Sequence, residues 1–180
     1  AEDQEHAARR SEVNLAVLAI ETVRDFVPRA MEKRLDLGYE GPEASQAGLR
    51  ISGHPLLIRE LIRNLVDNAL LYTPSDGTVT VRVVEDPFGQ VCVLQVEDSG
   101  PGIAESEREQ IFQPYYRALG TNVDGSGLGL AIVREIVQQH EAEIAVDDTR
   151  ARRQAESEGA GPGARFTVRF AAHPLQNAGS

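Results

Sequence analysis

The sequence is short of several residue types, and each shortage excludes something. Cys92 is its only cysteine, so no internal disulfide can form, which suits a reducing compartment and rules out a disulfide scaffold. Lys33 is its only lysine; the other cationic residues are arginines. Positive charge is scarce overall, with 18 Lys plus Arg against 28 Asp plus Glu and a formal net charge of −10. A chain so acidic lacks the basic face that binding a nucleic-acid backbone requires. No apolar run is long enough to cross a membrane, so no direct membrane contact is expected. The opening residues AEDQEHAARR carry no apolar signal-peptide segment.

What is present is ordinary for a soluble globular protein: 180 residues, 41% hydrophobic and 26% charged. At that length roughly 70% of the unfolded surface can be buried, enough for one core. Residues 1–11 read as a linker, 12–170 as the folded domain and 171–180 as a disordered tail. Within the domain, EVNLA at 12–16 is a short strand candidate. A helix follows, with Val23, Phe26, Val27, Ala30 and Met31 at spacings of three and four. LDLGYEG and LRIS are further strand candidates around a turn-rich stretch. The clearest helix starts after His54, with Leu57, Ile58, Leu61, Ile62, Leu65, Val66 and Ala69 in one stripe, and Pro74 ends it. TVTVRVV and QVCVLQVED form a hairpin, and EIAV and RFTVRF are the last strands. Residues 99–126 are too long and too rich in glycine and proline for a plain connection, and are expected to form a lid. A helix is expected from Gly127 to His140, with Leu128, Ala131, Ile132, Ile136 and Val137 on one side. Residues 147–163 look like a low-complexity mobile loop. These elements define an α/β class with a mixed sheet, since strict strand–helix alternation is missing.

Four pieces can carry chemistry. In ELIRNLVDNALLYTP, the residues Glu60, Asn64, Asn68 and Tyr72 are four apart and advance about 40° per step, forming one polar ridge. Asparagine inside a helix competes with the backbone's own bonds, so two of them a turn apart need a reason. Taken alone, the ridge is either a solvated face or a row lining a site for a cation or phosphate. In VLQVEDSGPGI, alternation puts Cys92, Leu94, Val96 and Asp98 on one face. A carboxylate there must find donors, and Asp98 can accept from an exocyclic amine such as that of adenine. Gly100 and Gly102 let the backbone approach a planar ligand, although DSGPG is equally good turn chemistry. In GSGLGLAIV, glycines open a helix whose first N–H groups can hold a polyphosphate without a lysine. In IFQPYYRA, Phe112, Tyr115 and Tyr116 can pin the lid, and Arg117 can reach a phosphate, or the group is a packing cluster. Of the four histidines, His6, His54, His140 and His173, each is expected to be structural or on the surface.

In this order the pieces resemble the asparagine box (RNLVDNALLYTP), first glycine box (DSGPGI), phenylalanine box (IFQPYYR) and second glycine box (GSGLGLAIV) of one family. It is the catalytic ATP-binding domain of bacterial two-component sensor histidine kinases, in the superfamily of gyrase, Hsp90, histidine kinases and MutL. GARFTVRF is similar to the family's closing strand. The resemblance implies a Bergerat-type two-layer α/β sandwich, a mixed sheet of about five strands on three helices with a mobile ATP lid. It implies ATP and magnesium as cofactors, with Asn64 the metal ligand and Asn68 a phosphate-side contact. Tyr72 would pack beside the nucleotide and Asp98 accept from adenine. Gly100, Gly102 and Ile103 would shape the base pocket, and Gly125, Ser126, Gly127, Leu128, Gly129 and Leu130 would close over the phosphates.

Relatives that hydrolyse ATP unaided carry a glutamate base where Asn64 stands, and an amide cannot take a proton from water. The resemblance therefore implies γ-phosphoryl transfer to a histidine, with Glu60 and Arg117 as catalytic candidates and catalysis mostly by positioning. No histidine here sits in the family's phosphoacceptor box, so the acceptor is expected on a separate dimerisation domain. The implied partners are that domain and a response regulator, and the isolated domain is expected to be monomeric. The implied setting is the cytoplasmic side of a protein anchored in the bacterial inner membrane. Leu71 stands where many relatives have a basic residue, and Glu141 and Ala142 stand where two glycines are common. These departures keep open an alternative, an ATP-binding regulatory module with little or no phosphotransfer. A slow unaided ATPase is a third option.

Overall fold

The computed structural model describes residues 10–44, 48–116 and 127–172. Among them are β1 (Ser11–Val13), α1 (Leu15–Glu32), β2 (Asp36–Glu40), β3 (Ile51–Gly53) and α2 (Pro55–Tyr72). There follow β4 (Thr78–Glu85), β5 (Val91–Asp98), two 3₁₀ turns (Glu105–Glu107 and Gln110–Phe112) and α3 (Gly129–Gln139). The last elements are β6 (Glu143–Asp148), α4 (Arg152–Ser157) and β7 (Ala164–Ala171). Five strands form one sheet in the order β2-β4-β5-β7-β6, with β2 parallel to β4 and the other neighbours antiparallel. β1 and β3 pair separately, and Ile51 bridges to Ala172 just beyond β7. The architecture is the expected two-layer sandwich with a mixed five-stranded sheet.

The core follows from two periodicities meeting. Every second residue of β5 is buried, namely Cys92, Leu94, Val96 and Asp98, and Phe166, Val168 and Phe170 of β7 face the same way. The helices answer with stripes at three and four: Ile58, Leu61, Ile62, Leu65, Val66 and Ala69 of α2 are all within 2% of full burial. Burial pushes the Cys92 thiol up to about 12, as befits a small core residue. The other face of the sheet is wet. A charge ladder crosses all five strands there: Glu40–Arg82 (2.8 Å), Arg82–Glu97 (2.7 Å), Glu97–Arg165 (3.7 Å) and Arg165–Asp147. Parallel helices α1 and α2 are joined by Glu21–Arg59 (2.7 Å), Asp25–Arg63 (3.1 Å) and Arg29–Asp67. Exposed pairs of this kind contribute about 0.2–1 kcal/mol each. Lys33 donates to the carbonyls of Leu70 (2.7 Å) and Leu71 (2.9 Å), so the one lysine caps the end of α2.

Several boundaries differ from the sequence expectation. The strand expected over 12–16 ends at Val13, because the Asn14 side chain accepts from the Val17 N–H and starts α1 at Leu15. Val27 and Met31, expected on the buried stripe of α1, are 37% and 71% exposed. The loop expected over 147–163 holds the last two residues of β6 and helix α4, whose Ala155 is fully buried. Its Ala, Arg, Gln and Glu content is helix-forming, a signal that the low-complexity reading overlooked. Of the expected lid, residues 117–126 lie outside the described residues. Ile111 and Phe112 belong to the body, with Phe112 edge-on to Phe166 at 6.3 Å. The expected linker overlaps β1 at Ser11 and the expected tail overlaps the end of β7; residues 1–9 and 173–180 lie outside the described residues.

α3 ends in a tight reversal. Ala142 N–H bonds back to Val137 O (3.0 Å), and Glu141 adopts φ +52°, a left-handed conformation that suits glycine. Beside it His140 is buried, with Nδ1 bonded to Ile136 O (2.7 Å) and Nε2 accepting from the His54 N–H (3.1 Å). Only the neutral ring can make both bonds.

Glu141→Gly is expected to raise unfolding stability by about 0.5–1 kcal/mol, read from the denaturant midpoint. Burial lowers the His140 pKa from its ordinary 6.5, aided by Arg10 and His54 and opposed by the Ile136 carbonyl. The unfolded chain therefore binds more protons at this residue, so its contribution is complete above 6.5 and shrinks as pH falls from there through the lowered folded value. Wild type should lose more stability than His140→Gln between pH 7.5 and 5.5, both measured by urea unfolding.

Candidate functional site

Asp98 ends β5, and the alternation that buries Cys92, Leu94 and Val96 carries its carboxylate to the edge of the core, where it is 4% exposed. An unpaired carboxylate there would be costly. Oδ1 accepts from two backbone N–H groups, those of Gly100 (2.9 Å) and Ala164 (3.1 Å). Burial pushes the carboxyl above its ordinary value, and the two N–H groups pull it back. With Oδ1 engaged by both, Oδ2 is the acceptor that remains for a ligand.

Asp98 stands in a cleft whose walls include Asn68 and Tyr72 of α2, Gly102, Ile103 and Leu130. Pro101, Ile111, Tyr116 and Ala164 complete it. Apolar walls with one buried carboxylate and one amide suit a flat heteroaromatic group that carries a donor on its edge.

One turn before Asn68, the Nδ2 of Asn64 donates to Glu60 O (3.0 Å), which turns its Oδ1 into the available acceptor. A Cβ on Gly129 would lie 3.1 Å from that oxygen, so glycine keeps the space beside it open. Gly129 is the first residue of α3, and its N-cap Leu128 supplies no side-chain cap. An acceptor oxygen thus adjoins the positive end of a helix dipole. A lone amide oxygen suits Mg²⁺ when phosphate and water supply the other ligands, and no cluster of three His, Cys, Asp or Glu offers an all-protein site among the described residues.

The structure therefore brings Asn68, Tyr72, Asp98, Gly102, Ile103 and Leu130 to one cleft, with Gly100 bonded to its carboxylate and Asn64, Leu128 and Gly129 together at the start of α3. Glu60 is exposed and does not line the cleft. Gly127 accepts from the Tyr115 N–H (2.8 Å) rather than lining it. Arg117, Gly125 and Ser126 lie outside the described residues. Sequence reasoning missed the contribution of the β6–β7 segment. Thr149 Oγ1 donates to Asp98 O (3.0 Å), and Gly163 N–H donates to Gly100 O (3.0 Å). The glycine before β7 was the available signal.

Fold and cleft together define a nucleotide-binding α/β sandwich. Residues 53–174 match the family described as histidine kinase-, DNA gyrase B-, and HSP90-like ATPase, and the chain belongs to that family. It is 40% identical over 129 residues to the sensor protein kinase PmrB of Pseudomonas aeruginosa, covering 71% of this chain and 26% of that protein. It is 33% identical over 162 residues to the histidine-protein kinase/phosphatase MprB of a Mycobacterium species, covering 89% of this chain and 29% of that one. The chain thus spans about a quarter to a third of the length of these curated relatives. Among solved structures, the mycobacterial sensor histidine kinase MprB superposes with a TM-score of 0.76 at 24% identity, over 93% of this chain and all of that one. The catalytic domain of histidine kinase ThkA superposes with 0.73 at 24%, over 92% and 99%. The expected resemblance to sensor histidine kinase catalytic domains is borne out.

Gly163 has φ +73°, and a Cβ there would overlap the Asp98 carbonyl oxygen. Gly163→Ala is expected to cost more than about 2 kcal/mol of stability, seen in thermal melting, because backbone strain and overlap add.

Proposed function

We propose that this domain binds Mg-ATP in the cleft and passes the γ-phosphoryl group to a histidine on a dimerisation domain of the same sensor protein, for relay to a response regulator. The observation that carries the reading is Asp98, buried with one oxygen fixed by two amides and the other left for a base amine. Asn64 and the start of α3 support the phosphate end. ATP use follows from the family; the transfer step and both protein partners are part of the proposal. ThkA, a structural neighbour, is solved in complex with its response regulator TrrA, which is consistent with such a partner. The parent protein is read as anchored in a bacterial inner membrane with this domain on the cytoplasmic side.

Each residue has a task in this reading. Tyr72 and Ile103 hold the base in place, and Asp98 Oδ2 accepts from its exocyclic amine. Asn68 meets the phosphate side, and the first N–H groups of α3 face the polyphosphate. Asn64 Oδ1 holds the Mg²⁺, which neutralises phosphate oxygens when bound. Asn64 cannot act as a base toward water, so hydrolysis is disfavoured against transfer. Glu60, exposed one turn earlier, is open to an incoming histidine and can polarise it. Leu71 favours a second reading, an ATP-binding regulatory module, because it supplies no charge where a basic residue would meet phosphate.

Asp98→Asn keeps an acceptor for the two backbone N–H groups but puts a donor where the base amine donates. Calorimetry with Mg-ATP should show at least tenfold weaker binding in a folded variant; unchanged affinity would sink the pocket assignment. Mixing the domain with its histidine-bearing partner and labelled ATP should give phosphohistidine, abolished by Asn64→Ala. ATP binding without phosphohistidine would decide for the regulatory module.

A further inference from the structure

We infer that Arg108, Asp148 and Arg152 are positioning residues for the base wall of the cleft, acting through the Ile103 carbonyl. Arg108 follows the first 3₁₀ turn and Arg152 opens α4, yet both reach the same two acceptors. On Asp148, Arg108 Nη2 meets Oδ1 at 3.0 Å, while Arg152 grips both oxygens, Nε to Oδ2 at 2.9 Å and Nη2 to Oδ1 at 3.0 Å. On Ile103, Arg108 Nε meets the carbonyl at 3.3 Å and Arg152 Nη2 at 3.0 Å. A carbonyl outside regular structure thus receives two charged donors, which are stronger than neutral ones.

The segment that brings Asp148 and Arg152 there closes on the same wall. Arg150 N–H bonds to Pro162 O (2.9 Å), and Pro162 packs so tightly on Gly102 that a Cβ there would be 2.7 Å from its Cγ. The side chains of Arg108 and Asp148 are only 23% and 22% exposed, so this pair is screened less than the half-exposed pairs that join α1 to α2. Asp98 fixes the loop's start through Gly100, and the arginine pair fixes it three residues on. Between them the Gly100–Ile103 backbone has little freedom, and Ile103 and Gly102 line the cleft.

This inference rests on the proposed reading in placing an adenine base against Ile103. It makes the β6–β7 segment part of nucleotide recognition, through the base and not through the phosphates. ATP, ADP and GTP would be titrated by calorimetry into wild type, Arg152→Ala, Asp148→Asn and Arg152→Lys, with thermal melting to confirm folding. Loss of the clamp should weaken ATP and ADP by the same factor, about five- to tenfold, and reduce the preference for ATP over GTP. Arg152→Lys should recover little, since an ammonium lacks the planar fork that spans Asp148 and Ile103. Wild-type affinity in folded variants would overturn the clamp. So would a loss confined to ATP, which would make the arginines phosphate contacts. Hydrogen exchange of residues 100–104 in the ligand-free protein should also quicken in Arg152→Ala, which needs a folded domain only. If wild type binds neither adenine nucleotide, the proposed function fails, and the exchange result alone decides the clamp.

Discussion

A buried carboxylate answered by main-chain amides, with no cation among its hydrogen-bond partners in the described residues, is the constraint on which the cleft depends. Asp98 Oδ1 takes one bond from Gly100, two residues on, and the other from Ala164, 66 residues on. The loop after β5 and the start of β7 must therefore meet within hydrogen-bond reach of one atom. That meeting leaves no room for side chains, which explains the left-handed Gly163 over the Asp98 carbonyl. An arginine in place of the amides would have satisfied the charge and consumed both oxygens. Two amides on one oxygen leave the other able to recognise a donor.

The chain carries a net charge of −10 and yet offers a site for a polyanion. The positions of its cations explain how little they contribute at the site. Arg29, Arg59 and Arg63 join α1 to α2, Arg82 and Arg165 cross the outer sheet face, and Lys33 closes the end of α2. None of these lines the cleft. In the proposed reading the phosphate end relies on the opening of α3 and on a bound cation, both of which act at short range. Arg108 and Arg152 are nearer, and they are engaged by Asp148 and a carbonyl.

The parts of the site written in local periodicity were legible in the sequence. Alternation placed Asp98 on the buried face of β5, and the spacing of four placed Asn64, Asn68 and Tyr72 on one side of α2. The glycines of GSGLGLAIV marked the opening of α3, although the expected start at Gly127 falls two residues before the observed one at Gly129. What could not be read depends on pairings far apart in the chain. Thr149 meets Asp98 across 51 residues, and Arg152 meets Ile103 across 49. Composition alone made residues 147–163 a loop, whereas Arg152–Ser157 within it form a helix that buries the Ala155 side chain. Asn14 misled in the opposite sense: it looked like part of a strand because its capping role shows only once the helix is in place.

The relation between the two halves of the site is set from a distance. In the proposed reading the asparagine ridge belongs to α2 and the polyphosphate end to α3, and Gly129 adjoins Asn64 where the two helices pack. The far end of α3 is tied to α2 as well. There His140 holds Ile136 O with one ring nitrogen and the backbone of His54, the N-cap of α2, with the other. α3 has 11 residues and so is about 16 Å long, and Val133, Ile136 and Val137 are buried along it. A tilt of a few degrees about its far end would move Gly129 by about an ångström, enough in the proposed reading to separate an ion from an amide oxygen. The neutral histidine is one of the contacts that set the helix whose other end adjoins Asn64, and burial, by keeping that ring uncharged, keeps both of its bonds.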